Sequence, residues 1–219
     1  MKLFTTKYLY EYWNELRGKR IAPNRKELDP NILKDVLPNL FLLDRIGRDT
    51  YNFRLAGTKT CDIFGKELRD QNFLDLWSAN DRDSFTSLLS TLSEQGAAIV
   101  CGLRGLTAEN QIDGKPGQVN FELLALPLFH KPSGNCTSVI GSFGFDAEIE
   151  RQHLLPIQQI EMVSLRVIWP VENKLSLPKV VSSKNSLLQI AIDEAESATG
   201  QPDYLARRAQ FKLIEGGKQ

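Results

Sequence analysis

The chain has 219 residues, 42% hydrophobic and 25% charged, with 27 lysines and arginines against 27 aspartates and glutamates. That length buries a full core and suits one domain with extensions, and the balanced charge offers no cationic surplus for phosphate backbones or anionic lipid. Neither nucleic acid nor a membrane is therefore an expected partner. The opening Met1–Tyr8 lacks the apolar run of a signal peptide, and no later stretch is long enough to cross a bilayer, so a cytoplasmic location is expected. Cys61, Cys101 and Cys136 are odd in number and widely spaced, which fits neither a disulfide framework nor a thiolate zinc site.

In chain order, Leu9, Trp13 and Leu16, with Tyr8 and Tyr12 beside them, recur at helical spacing, and Gly18 supplies a stop. This predicts an amphipathic helix over Thr6–Gly18. Asp29-Pro30 reads as an N-cap followed by proline at the first helical position, opening a short helix that Pro38 closes. Leu40 to Ile46 is an apolar run, and after the Gly47-Arg48-Asp49 turn Tyr51, Phe53 and Leu55 alternate with Asn52 and Arg54, which predicts a β-hairpin.

Between Gly57 and Trp77 short helical turns are expected, with Cys61, Ile63, Phe64, Phe73, Leu74, Leu76 and Trp77 available to face inward. Asn80 or Asp81 then caps a longer helix to about Gln95, whose stripe is Phe85, Leu88, Leu89 and Leu92, and Gly96 ends it. Three strands follow at Ala97–Leu103, Val119–Phe129 and Thr137–Phe145, separated by turn-rich stretches at Asp113–Gly117 and Lys131–Asn135. Hairpins at both ends of a series of two strands, helices and three strands favour one antiparallel sheet, since parallel pairing would need a helix between strands. The class is α+β, with five strands and the helices on one face. Beyond Phe145 there is a short apolar stretch, Met162–Trp169, then a possible helix over Ser186–Ala198 and an unordered tail after Gly200.

The strand order resembles the PAS fold, and particular residues sharpen the resemblance to a bacterial PAS family found mainly in alphaproteobacteria. They are Tyr12-Trp13 with Leu16-Arg17 and Arg20, Pro23-Asn24-Arg25, Asp29-Pro30, Leu37-Pro38, Phe53 to Thr58, Phe64-Gly65 and Leu76-Trp77. Leu124 to Leu128 and Ile214-Glu215-Gly216-Gly217 are also similar to that family. The likeness covers Tyr8 to Phe145 and, thinly, the tail. It implies a helical extension over 1–38, a PAS-like sensory domain over 39–146 and a partly flexible extension over 147–219. It implies a role in signal sensing or regulatory protein contact, no catalytic residues and no particular ligand.

Each candidate site residue has a plainer structural reading beside the functional one. Cys61 invites comparison with flavin-binding relatives that form a cysteine adduct, but Gly57 to Asp62 lacks their Asn-Cys-Arg-Phe-Leu-Gln pattern. Haem would need His130 or His153 as axial ligand, and neither is well placed. The sequence thus carries no flavin, haem or metal signature, and any cofactor stays unknown. Arg54 has the fork that pairs carboxylate or phosphate, yet strand alternation aims it away from the helices. Phe53, Leu55, Cys61, Phe64, Trp77, Phe85, Leu88, Phe121, Leu123, Gly141 and Phe143 form the candidate ligand-binding set between sheet and helices. Those aromatics can equally be close-packed core. Small residues at Gly102, Gly141, Ser142 and Gly144 suggest room. Asp75, Asp81 and Asp83 beside Trp77 match ordinary capping chemistry.

The expected function is a non-catalytic sensory or regulatory module that takes a small-molecule ligand and relays through contacts with another signalling protein. A ligand-free adaptor is the alternative, and an enzyme with a pocket in a cone-shaped α+β fold is the third reading. No nucleophile elbow, phosphate loop or dinucleotide fingerprint appears. The first helix offers Leu9, Tyr12, Trp13 and Leu16 for an intermolecular contact, most simply a homodimer. The opposing reading has Trp13 anchoring that helix to its own sheet.

Overall fold

The computed structural model describes residues 1–109, 116–129, 136–146, 156–170 and 181–182. The turns expected over 113–115 and 131–135, His130, His153, the helix expected over 186–198 and the tail lie outside these residues.

Helix α1 (Phe4–Arg17) forms as its spacing predicts, with Thr6, Leu9 and Trp13 buried and Gly18, at φ +55°, ending it. Its N-terminus has no local side-chain cap. The carboxylate of Glu122 on the sheet instead ties down the lead-in to the helix, accepting from the Lys2 N–H at 3.0 and 3.1 Å and from the Thr6 hydroxyl. A single 3-10 turn, Arg25–Glu27, carries a reciprocal capping box with Asn24.

The short helix expected from Asp29 to Pro38 is instead a run of hydrogen-bonded turns, followed by a 3-10 turn over Leu37–Asn39 that contains Pro38. Asp29 still caps, accepting from the Asn31 N–H at 2.8 Å. Leu33 and Val36 hold the segment down by burial.

Strands β1 (Leu40–Gly47) and β2 (Thr50–Ala56) form the first hairpin. Helix α2 (Thr58–Phe64), a 3-10 turn over Phe73–Leu76 and helix α3 (Ala79–Gln95) follow. Strands β3 (Ala98–Glu109), β4 (Pro116–Leu128), β5 (Ser138–Gly144), β6 (Ile157–Ile168) and β7 (Val181–Ser182) complete a single sheet in the order β2-β1-β5-β4-β3-β6-β7. All pairings among these strands are antiparallel. The α+β class holds, but the sheet exceeds the expected five strands because β6 pairs with β3 along ten residue positions and β7 adds to β6.

Alternation along the strands divides the core in two. Leu123 and Ala125 join one cluster with Phe41, Phe53, Phe73, Phe85, Leu88, Leu89 and Phe143, where α2, α3 and the inner face of the sheet meet. Leu124, Leu126 and Leu128 join the other with Leu9, Trp13, Ala22, Leu33 and Val36, where α1 and the loops after it cover the outer face. Leu88 is 3% exposed in the first cluster, and Leu88→Ala is expected to cost about 2 to 5 kcal/mol. A chemical denaturation midpoint equal to wild type would show that α3 packs by another face.

Bulges interrupt the alternation in several strands. Leu42 faces Leu55 while Leu43 faces Phe53, so Arg54 is the extra residue in β2. On β6, Gly102 faces Ser164 while Leu103 faces Met162, leaving Val163 extra, and a second shift leaves Gln158 extra. The outer edge of β2 is covered by the loop after α2. The Phe53 N–H donates to the Gln71 carbonyl at 2.9 Å, the Asp70 N–H to the Phe53 carbonyl at 2.7 Å and the Tyr51 N–H to Asn72 Oδ1 at 3.1 Å.

Candidate functional site

The inner cluster is an aromatic stack built on Phe73. Its ring lies 5.4 Å from Phe41, 5.5 Å from Phe53, 5.7 Å from Phe85, 6.0 Å from Trp77 and 6.4 Å from Phe143. Phe143 in turn meets Phe64 at 5.5 Å and Phe121 at 5.6 Å. These are the separations of rings in direct contact. Asn72 fixes the start of the Phe73 turn, its side chain accepting from the Leu74 and Tyr51 N–H groups.

Phe53, Phe64, Trp77, Phe85, Leu88, Phe121, Leu123 and Phe143 therefore come together on the inner face. Leu55 does not. The bulge at Arg54 turns it to the outer side opposite Leu42, where it is 49% exposed, and Ala56 packs inward in its stead. Gly141 is on the inner face, but its space is taken: an added Cβ would lie 2.2 Å from the Phe41 ring. Gly102, Ser142 and Gly144 do not open the inner face, because each pairs with a residue of outer parity such as Glu122 or Leu124. Sequence reasoning left Phe73 and Phe41 out of the site. The signal for Phe73 was its position after Asn72, a side-chain cap that fixes the following turn.

Trp77 is one polar element of this interior, and the buried Tyr51 hydroxyl is another. Trp77 is 5% exposed, stacks on Phe85 at 3.8 Å, and its indole N–H finds no acceptor among the described residues. An unpaired buried donor of this kind costs about 1–3 kcal/mol. Cys101 is fully buried near Met162, and burial, then the charges of Asp81 and Glu122, push its thiol far up. Cys61 is half-buried at the edge, and burial together with Glu67 also raises its thiol. Both stay protonated at neutral pH, the opposite of what a nucleophilic thiolate requires.

The acidic residues near Trp77 separate into different tasks. Asp75 pairs with Arg82 at 2.8 Å on the surface. Helix α3 starts earlier than the sequence suggested, with Ser78 and not Asn80 or Asp81 in the cap position, and Asp81 is drawn across to β6, accepting from the Met162 N–H at 2.9 Å. Arg54 pairs with Asp44 at 3.3 Å, and Asp44 also holds Arg25 and Ser138.

The row expected at an interface is mostly internal. Leu9 is 0% and Trp13 2% exposed, both seated on the outer face of the chain's own sheet, and the Trp13 indole donates to the Pro127 carbonyl at 2.8 Å. Tyr12 is half-buried and its hydroxyl accepts from the Asp29 N–H, while Leu16 is half-buried at the end of the helix. Through Leu9 and Trp13, α1 makes an intramolecular contact.

No helix among the described residues is long and apolar enough to cross a membrane. No curated protein matches the chain. A family model described as a PAS domain matches residues 1–143, the span that runs from α1 through nearly all of β5, so this chain of 219 residues belongs to the PAS-domain family.

Proposed function

We propose that this PAS domain is a non-catalytic sensory module whose helix-covered interior takes a small ligand and which passes the change on through protein contacts. The carrying observation is the buried Trp77 indole N–H without an acceptor, set among Phe73, Phe85 and the apolar inner face. Native interiors rarely leave such a donor unpaired, and a flat, mostly apolar ligand with one acceptor would satisfy it. Binding would extend over Phe64, Leu88, Phe121, Leu123 and Phe143 around the indole. Leu9 and Trp13 are engaged within the chain, so the contact with a signalling partner, or with a second copy, uses other surface.

The close ring contacts of Phe73 favour a second reading, a ligand-free adaptor with a solid core. Native mass spectrometry of protein purified from cells, compared with the denatured mass, separates the two. The sensory reading expects a retained small molecule that Trp77→Phe releases. Equal native and denatured masses leave the adaptor.

A further inference from the structure

Strand β6 changes face at Val163. Before the bulge its inward residues are Ile160 and Met162, and after it they are Leu165 and Val167, while Ile168 packs with the outer cluster. The extra residue is what lets both halves of the strand keep their apolar side chains in the core.

The strand is gripped on the near side of that bulge by the segment that begins α3. Trp77 forms a backbone bridge with Ile160, the Ser78 N–H donates to the Ile160 carbonyl at 2.9 Å, and Asp81 Oδ2 accepts from the Met162 N–H at 2.9 Å. The Ser78 hydroxyl donates to the same oxygen of Asp81 at 3.0 Å. On the far side, Ser164 Oγ accepts from the Gly102 N–H at 3.2 Å. A Cβ on residue 102 would lie 2.5 Å from that oxygen, so glycine there makes the contact possible.

We infer that residues 77–81 are a clamp that holds the Val163 bulge in place, and that loosening the clamp lets the end of β6 slide by one residue against β3. Sliding removes the bulge: Gly102 would face Val163, and Cys101 would face Ser164. Leu165 and Val167 then turn out of the inner cluster, while Ser164 and Arg166 turn in. Placing Arg166 against an apolar interior is costly, so the bulged arrangement is the resting state and the slid one is sparsely populated. Trp77 is both an unpaired donor of the interior and the first residue of the clamp. A ligand that pulls on its indole therefore acts directly on the strand that carries the chain toward its C-terminal segment.

This inference rests on the sensory reading for its biological use, but its test needs no ligand, so either can fail alone. Backbone amide exchange and cross-strand proton contacts are measured by NMR on the intact chain, for wild type, Asp81→Ala, Asp81→Asn and Trp77→Phe. Asp81→Ala is expected to raise exchange about tenfold or more over Met162–Ile168 and the facing Ala98–Leu103, with β1, β2 and β5 unchanged. New contacts between Gly102 and Val163 are expected to accompany it. Trp77→Phe keeps the backbone bridge to Ile160 and is expected to keep the wild-type pairing. Asp81→Asn keeps an oxygen for the Met162 N–H and is expected to keep the wild-type pairing. Exchange that rises evenly over the whole sheet, β6 pairing unchanged in Asp81→Ala, or equal slippage in the alanine and asparagine variants would each overturn the clamp.

Discussion

Phe73→Ala is expected to lower the free energy of unfolding by about 3–5 kcal/mol, a large part of the 5–15 kcal/mol available to a typical domain. Phe73 is fully buried, and five other aromatic rings meet it, from β1, β2, α3, β5 and the turn just before α3. Those partners belong to several elements, so the cavity left by the ring cannot collapse by moving any one of them. Urea unfolding should show a lower midpoint with an unchanged slope, as expected when stability changes and the exposed surface does not. Phe73→Leu should cost less, because it restores much of the lost volume. A midpoint for the alanine variant within error of wild type would mean that the rings do not depend on this centre.

The second large effect is expected at Trp13. Its ring is 2% exposed on the outer face and its indole N–H is bonded to the Pro127 carbonyl, so Trp13→Ala should also cost about 3–5 kcal/mol. Trp13→Phe keeps most of the ring but leaves a buried carbonyl without its donor, for about 1–3 kcal/mol. Sedimentation equilibrium gives the sign that matters for function. A helix that covers its own sheet, once loosened, uncovers Val100, Leu124 and Leu126, so the alanine variant should associate more than wild type. If Trp13→Ala instead converted a wild-type dimer to monomers, α1 would be an interface after all.

What was legible in the sequence was chiefly what keeps an unbroken period. Helix α1, α3, β4 and β5 form close to their expected bounds, and so does the β1–β2 hairpin, though its period breaks at Arg54; β3 runs on to Glu109, past its expected end at Leu103. Strand β6 was not legible because its inward residues, Ile157, Ile160, Met162, Leu165 and Val167, are spaced three, two, three and two apart. Two bulges produce that spacing, which matches neither a strand nor a helix. The same device misplaced Leu55: the alternation Tyr51, Phe53, Leu55 is real in the sequence and broken at Arg54 in the fold.

The side taken by α1 was encoded, though not in the helix. The run Leu123 to Leu128 is apolar at every position, which a sheet with one wet face does not need. Such a run asks for cover on both faces, and α1 is the cover available. Whether the aromatic set lines a cavity or fills the core was undecidable from composition, because both use the same residues.

The loop over Asp70–Asn72 has a consequence for behaviour at high concentration. Strand β2 ends the sheet, and an open strand of Tyr51, Phe53 and their neighbours would offer its amides to any other extended chain. The loop lends that edge two backbone bonds and one asparagine oxygen, too few to count as a further strand but enough to occupy it. Polymer growth from this end must first displace the loop, so solubility here depends on a three-residue shield that contributes little to the core.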